Sequence, residues 1–165
     1  APWSFTGHAG IINAPGGGFN GPTAPDGSQY GFLQSAFSGQ TPGVFSQTIS
    51  FTLAGTYQLA YLVAGRPPNG LGSFGDLPYD VRLDSTVIGT DSSTSSEPFT
   101  QVIFTFTTTA GDHTLTFETS QSNGADNTAF IDSVSIQAVP EPTSLALFAI
   151  GGVAFAAARR FRRVR

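Results

Sequence analysis

Two histidines, His8 and His113, are the side chains in this sequence that can act as acids or bases near neutral pH. His8 lies in a glycine-rich stretch, and His113 follows a turn at the start of a predicted strand. The sequence has no Gly-x-Ser-x-Gly elbow, no histidine pair at metal-ligand spacing and no recognisable carboxylate pair for glycoside hydrolysis. We therefore predict no catalytic residue, and a hydrolase that uses the two histidines stays an alternative.

Asp132 is the acidic residue whose neighbours say most about its role. Phe130, Val134 and Ile136 share its parity in the last predicted strand, so its carboxylate is expected to point with apolar side chains. Burying a carboxylate costs several kcal/mol unless it is paired or coordinated. Three interpretations stay open: a Ca²⁺ ligand, a hydrogen-bonded carboxylate at a strand end, or an exposed side chain.

Sugar binding needs aromatic faces and a few polar groups that fix the hydroxyls. Trp3, Arg66 and Tyr79 are the candidates for ligand contacts. Arg66 has an alternative role as an ion-pair partner of Asp80 or Asp84.

Short strands must position these residues. A period-two alternation of apolar and polar side chains predicts strands at 45–53 and 57–63, which we expect to form a hairpin around Ala54–Gly55. Further strands are predicted at 30–34, 79–88, 100–109, 113–117 and 128–137. A turn at 110–112 is expected to return the chain from the strand at 100–109.

The remaining segments before the tail are predicted to be irregular. Residues 1–28 should hold one short strand near Trp3–Phe5, and residues 90–96 a polar loop. Eight or so strands with no helix before residue 143 predict an all-β fold, and the polar faces of most strands favour an antiparallel β-sandwich over a barrel.

The charge of the chain is divided unevenly. The formal charge of the 165 residues is −4, but residues 1–140 hold ten acids and two arginines, a net −8, and the tail from 141 has a net +4. A domain this acidic repels a nucleic-acid backbone, so nucleic-acid binding is excluded. Cysteine, lysine and methionine are absent. The start at Ala1 leads us to expect either a removed signal peptide or a fragment that lacks preceding residues.

The last 27 residues have three parts in series. Val139-Pro140-Glu141-Pro142 comes first, then a run without charge from 142 to 158, then Arg159, Arg160, Arg162, Arg163 and Arg165. Seventeen residues lie at the short limit for a membrane-spanning helix. The arginines would keep the C-terminus in the cytoplasm, so the residues before 140 are expected to be exported.

This tail resembles the PEP-CTERM sorting signal of bacterial exosortase substrates. The resemblance implies a sorting motif at Val139–Pro142, one membrane helix at about 143–160 and an Arg-rich topology signal. It implies a transient stay in the inner membrane of a Gram-negative bacterium, cleavage by an exosortase-type membrane protease, and transfer to the cell surface or extracellular matrix. An ordinary single-pass anchor is the alternative.

A second series of short motifs runs through the rest of the chain. It consists of Pro25-Asp-Gly-Ser-Gln29, Phe32-Leu-Gln34, Phe45-Ser-Gln47, Ala54-Gly-Thr-Tyr57, Ala64-Gly-Arg66, Val81-Arg-Leu-Asp84 and Asp126-Asn-Thr-Ala-Phe-Ile-Asp-Ser-Val134. The series resembles the jelly-roll modules of the galactose-binding-domain-like superfamily, which include carbohydrate-binding modules. The resemblance implies a jelly-roll ectodomain over residues 1–138 that lacks its first strand. It also implies a structural Ca²⁺ between the first and last strands, with Asp132 as the last-strand ligand.

We therefore expect an exported, non-enzymatic protein that associates with extracellular polysaccharide or biofilm matrix. The alternative from another class is a surface protein that assembles with itself and binds no glycan.

Overall fold

The computed structural model describes residues 2–15, 17–35, 41–68, 75–120 and 127–140. Ten strands and one 3-10 turn occupy these ranges. The strands are β1 (Ser4–Thr6), β2 (Ala9–Asn13), β3 (Gln29–Gln34), β4 (Val44–Phe51), β5 (Gly55–Gly65), β6 (Leu77–Leu83), β7 (Thr86–Ser93), β8 (Thr100–Thr108), β9 (Gly111–Thr119) and β10 (Thr128–Ala138); the 3-10 turn is Gly17–Phe19.

Two five-stranded sheets face each other. Sheet A has the strand order β1-β4-β9-β6-β7, and sheet B has the order β2-β3-β10-β5-β8. Every described ladder is antiparallel. The predicted antiparallel β-sandwich is therefore confirmed.

The main core lies between the sheets. Sheet A contributes Tyr79, Val81, Leu115 and Phe117, and sheet B contributes Leu59 and Tyr61 among others, all at most 1 % exposed. Burying a large apolar side chain stabilises the fold by about 1.5–3 kcal/mol. The alternating residues of the central strands supply this core, as the period-two pattern predicts.

A second, smaller cluster centres on Phe130, whose neighbours in β10, Ala129 and Ile131, belong to the main core instead. Because successive side chains of a strand point to opposite faces, Phe130 lies on the outer face of sheet B. Tyr30 packs against Phe130 at a ring-centroid distance of 4.9 Å, and Phe19 of the 3-10 turn lies 6.3 Å from it. The segment between β2 and β3 thus covers part of this outer face.

The predicted hairpin of the strands around Ala54–Gly55 is wrong. β4 pairs with β1 and β9 in sheet A, whereas β5 pairs with β10 and β8 in sheet B. The chain crosses from sheet A to sheet B here, and it crosses back to sheet A between β5 and β6; the connection from β8 to β9 also leads from sheet B to sheet A. The alternation shows which side chains face the core, but it does not distinguish a partner in the same sheet from one in the opposite sheet.

Three other expectations need correction. Residues 79–88 are two strands, since the chain turns at Asp84, where φ is 53°, and β7 returns along β6. β7 also takes in Thr90–Ser93, which the sequence pattern assigned to a loop. In the N-terminal region a second strand, β2, pairs with β3 in addition to the short strand β1.

Two strand edges lie open along one side of the sandwich. β1 pairs with β4 only at Val44–Ser46, and β3 pairs with β10 only at Thr128–Ile131. Within the described residues, Thr48–Phe51 and Val134–Ala138 therefore have no strand partner on that side. We refer to these two segments as the open edges.

The tail falls largely outside the described residues. Val139 is 38 % exposed and donates its backbone N–H to Thr56 O at 2.9 Å, and Pro140 is exposed. The predicted membrane helix at 143–160, Glu141, Pro142 and the five tail arginines lie beyond them. Over the ranges that are described, no helix is long and apolar enough to cross a membrane.

Candidate functional site

A bulge in β10 places Asp132. The pairing of β10 with β5 shifts register between Asp132 and Ser135, and Ser133 has a φ of 53°, in the left-handed region. Such a bulge adds one residue to its strand and changes which way the following side chains point. Val134 therefore packs against the main core, on the side opposite to Phe130.

This bulge corrects the parity argument for Asp132. Phe130 and Val134 do not share a face, so the carboxylate is not simply one of a row of buried apolar side chains. Asp132 is half-buried, and its two carboxylate oxygens accept backbone N–H groups from Ser133 at 2.7 Å and Asp26 at 3.2 Å. The side chain ties the segment before β3 to the last strand.

Trp3 lies just before β1 and is half-buried. Its ring packs edge-on against Phe45 at 5.1 Å and is tilted against Phe117 at 6.2 Å. These contacts hold the indole at the margin between the two sheets, where β1 is the outermost strand of sheet A.

An open pocket of about 220 Å³ lies between Trp3 and Asp132. It forms where β3 separates from β10, so the split between two strands of sheet B gives access to aromatic side chains of sheet A. Its lining is mostly apolar, and Gln29, Asp132 and Ser133 are the polar residues in it. The lining consists of Trp3, Phe5, Ile11, Gln29, Tyr30, Gly31, Phe45, Ile131, Asp132, Ser133 and Val134. We call it the Trp3 pocket.

The chemistry of the Trp3 pocket suits a small polar molecule with an apolar face. Trp3 offers an aromatic surface, while Asp132, Gln29 and Ser133 offer a carboxylate, an amide and a hydroxyl. Mostly apolar walls with a few polar groups are typical of small-molecule sites. The structure thus brings two of the predicted site residues, Trp3 and Asp132, to one place.

Arg66 lies elsewhere. Only 5 % of the residue is exposed, and its guanidinium lies 4.6 Å above the ring of Phe19. Asp80, one of its predicted ion-pair partners, binds Arg82 at 2.8 Å, and Asp84 binds His113 at 2.7 Å. The prediction that Arg66 contacts a ligand is corrected, because its buried cation packs in the cluster around Phe130.

Tyr79 is also not a ligand contact, since none of it is exposed. Its hydroxyl donates to Asp91 Oδ2 at 2.8 Å and lies 3.0 Å from the hydroxyl of Tyr61. Burial raises the pKa of both tyrosines far above the ordinary value. Tyr79 is a structural residue that carries a hydrogen-bond chain from the core to Asp91.

His113 is held by hydrogen bonds at both ring nitrogens. Nδ1 contacts Asp84 Oδ2 at 2.7 Å, and Nε2 contacts Thr109 O at 3.2 Å. The backbone N–H of Thr114, followed by the His113 side chain, holds the pKa of Asp84 below its usual range. The His113–Asp84 pair joins the start of β9 to the turn between β6 and β7, which is a structural arrangement.

Calcium requires six to eight oxygen ligands. The described ranges contain no group of three acidic or histidine side chains able to hold a metal ion. Asp132 directs its two oxygens to backbone N–H donors. The described donors near Asp132 therefore do not fit a complete calcium site; Asp126 lies outside them.

Sequence reasoning missed Gln29, Phe45 and Ser133 as members of the pocket. Phe45 has core parity and Gln29 begins a strand, so neither carries a signal of its own. Ser133 becomes part of the site through the bulge, which a regular period-two pattern does not reveal.

A protein-family model described as the PEP-CTERM protein-sorting motif matches residues 138–163. No curated protein matches the chain in sequence. The solved structures that share its fold include several carbohydrate-binding modules.

TmCBM61, solved in complex with beta-1,4-galactotriose, has a TM-score of 0.56 and 14 % identity, over 84 % of this chain and 90 % of that one. A family 35 carbohydrate-binding module from Clostridium thermocellum has a TM-score of 0.56 and 16 % identity, over 82 % and 92 %. CBM35 from Paenibacillus barcinonensis has a TM-score of 0.54 and 15 % identity, over 83 % and 93 %. Residues 138–163 are thus a PEP-CTERM protein-sorting motif, and they follow a β-sandwich with the jelly-roll fold of carbohydrate-binding modules.

Proposed function

We propose that this exported protein is a non-catalytic polysaccharide-binding protein, which is displayed at the cell surface or in the extracellular matrix. The observation that carries the proposal is the Trp3 pocket, where an indole, a carboxylate, an amide and a hydroxyl surround a space of about 220 Å³. A sugar ring presents apolar C–H faces to an aromatic ring and hydroxyls to polar groups. The engagement of His113 with Asp84 and Thr109 supports a non-enzymatic role.

Polysaccharide retention of residues 1–138 tests the proposal, because these residues include all ten strands. Asp132→Asn keeps the size of the side chain and removes its charge, and Trp3→Ala removes the aromatic wall. We expect each variant to bind about tenfold more weakly, which corresponds to about 1.4 kcal/mol.

Leu53→Ala is the matched control, because Leu53 is 71 % exposed and does not line the pocket. Melting curves must show that each variant is folded. Unchanged retention of both folded pocket variants would contradict this site.

A second candidate function, self-assembly into a surface layer, is favoured by the open edges. Thr48–Phe51 and Val134–Ala138 carry no charge, and unpaired uncharged edges are templates for pairing with another chain. The same edges are where we place the first strand that the resemblance predicts to be absent.

Self-assembly predicts a mass that rises with concentration and no sugar-dependent retention. Thr48→Lys on the open edge of β4 should reduce that mass, whereas Thr23→Lys in an exposed connection should not. A monomer at all concentrations would remove this candidate.

Structural calcium, with Asp132 as a ligand, stays a prediction. It requires that EDTA lower the melting temperature of the sandwich and that Asp132→Ala abolish this dependence. Equal melting curves with and without EDTA would leave Asp132 as a carboxylate that holds two backbone N–H groups.

We further propose that an exosortase-type membrane protease of a Gram-negative bacterium processes the motif Val139–Pro142, after a membrane helix at about 143–160 has held the chain. Deletion of residues 139–165 should abolish surface display and leave the sandwich folded. Display that persists after the deletion would contradict this route.

A further inference from the structure

The sandwich offers very little positive charge to a ligand. Residues 1–140 contain two arginines, no lysine and ten acidic residues. Both arginines are already engaged. Arg82 binds Asp80 at 2.8 Å and Glu118 at 3.3 Å, while buried Arg66 lies over Phe19. To bind an arginine of the sandwich, an anionic ligand would therefore have to displace Arg82 or Arg66 from the contacts that it already makes.

The Trp3 pocket has the same excess of negative over positive charge as the sandwich around it. Asp132 is the single charged residue among its described lining residues. The carboxylate holds two backbone N–H groups, and its remaining lone pairs can accept hydroxyl groups. Gln29 donates its Nε2 to Asn13 Oδ1 at 2.8 Å, and its side-chain carbonyl, together with the hydroxyl of Ser133, completes a set of groups suited to an uncharged polyol.

From these observations we infer that the Trp3 pocket takes an uncharged sugar residue and discriminates against polysaccharides that carry uronate, sulfate or phosphate groups. This inference rests on the proposed polysaccharide binding. A second anion about 5 Å from Asp132 at the rim of a protein is repelled strongly enough to weaken binding by roughly tenfold or more.

The test compares a neutral galactan with polygalacturonate, a uronate polymer, on residues 1–140. EDTA is present throughout so that no divalent cation bridges carboxylates. This segment excludes the five tail arginines, whose charge would attract any acidic polymer. We expect the galactan to bind at least about tenfold more tightly at low salt, and added salt to narrow this ratio by screening the repulsion.

Two variants of equal net charge locate the discrimination. Asp132→Asn removes the charge in the pocket, and Asp76→Asn removes one from an exposed position outside it. Asp132→Asn is expected to reduce the galactan-to-polygalacturonate ratio several-fold, and Asp76→Asn to leave it nearly unchanged.

The outcomes separate the two proposals. If neither polymer binds, the proposed polysaccharide binding fails. If the uronate polymer binds as tightly as the galactan, or if both variants change the ratio equally, binding stands and the inferred selection at the pocket is wrong. Should Asp132→Asn not fold, the salt dependence of the native sandwich decides, since a ratio that does not fall with salt contradicts charge repulsion.

Discussion

The hydrogen-bond chain from Tyr61 through Tyr79 to Asp91 predicts unequal costs for removing its two hydroxyls. Tyr79 donates to the carboxylate, so its oxygen must accept the proton of Tyr61. Tyr79→Phe therefore removes a hydrogen bond to a charged group and leaves the hydroxyl of Tyr61, a residue that is 1 % exposed, without this acceptor. With about 1.5–3 kcal/mol for the first effect and about 1 kcal/mol for the second, we expect a loss of about 3 kcal/mol.

Tyr61→Phe removes only the first hydrogen bond of the series, because the Tyr79 hydroxyl still donates to Asp91. It should cost about 1 kcal/mol of stability. In the Tyr79→Phe background we expect Tyr61→Phe to be neutral or stabilising, because it then removes a buried hydroxyl that has lost this acceptor. Tyr57→Phe is the control, since its hydroxyl donates to Leu53 O at an exposed site and should be worth at most about 0.5 kcal/mol.

Urea unfolding of the three single variants and the double variant measures these free energies. Additive costs for the two core tyrosines would refute a continuous chain, because groups that share a hydrogen bond should couple. A smaller cost for Tyr79→Phe than for Tyr61→Phe would refute the assigned direction of donation.

Three further changes test other features of the sandwich. The backbone N–H of Thr114 is the main cause that holds the pKa of Asp84 below its usual range, so Asp84 stabilises the fold above its unfolded pKa near 3.8 and loses that effect as the pH falls through the folded pKa. Asp84→Asn should therefore lower the stability at neutral pH and make the loss of stability in acid less steep. Urea midpoints that depend on pH as in the native chain would contradict this. Gly89→Ala should cost about 1–3 kcal/mol, because a Cβ there would lie 2.4 Å from Phe104 Cδ2, and a melting temperature equal to that of the native chain would contradict the close packing. Ser133→Gly should stabilise the bulge by about 1 kcal/mol in urea unfolding, because glycine adopts a φ of 53° without steric cost, whereas a loss would mean that the Ser133 hydroxyl matters more than its backbone.

The strands were predictable because their side chains alternate so regularly. In β6, Leu77, Tyr79, Val81 and Leu83 are buried and the residues between them are half-buried. The same parity should have placed Tyr79 in the core rather than among ligand contacts.

The sequence predicts less well which strands pair with one another. β4 and β5 both present apolar residues to one core, and only the three-dimensional path of residues 52–54 shows that they do so from opposite sheets. The bulge at Ser133 is another local irregularity, and the residue types around it do not predict it. Because the Trp3 pocket depends on that bulge and on the split of β3 from β10, its existence could not be predicted, although Trp3 and Asp132 could be singled out.

The hydrogen bond from Val139 N to Thr56 O fixes the end of the sandwich from which the chain leaves after β10. The chain leaves the sandwich beside the connection that carries the exposed Leu53 and beside the turn between β8 and β9. The other end of β10, where Asn127 Nδ2 donates to Asp76 O at 2.8 Å, is separated from Val139 by the whole length of that strand.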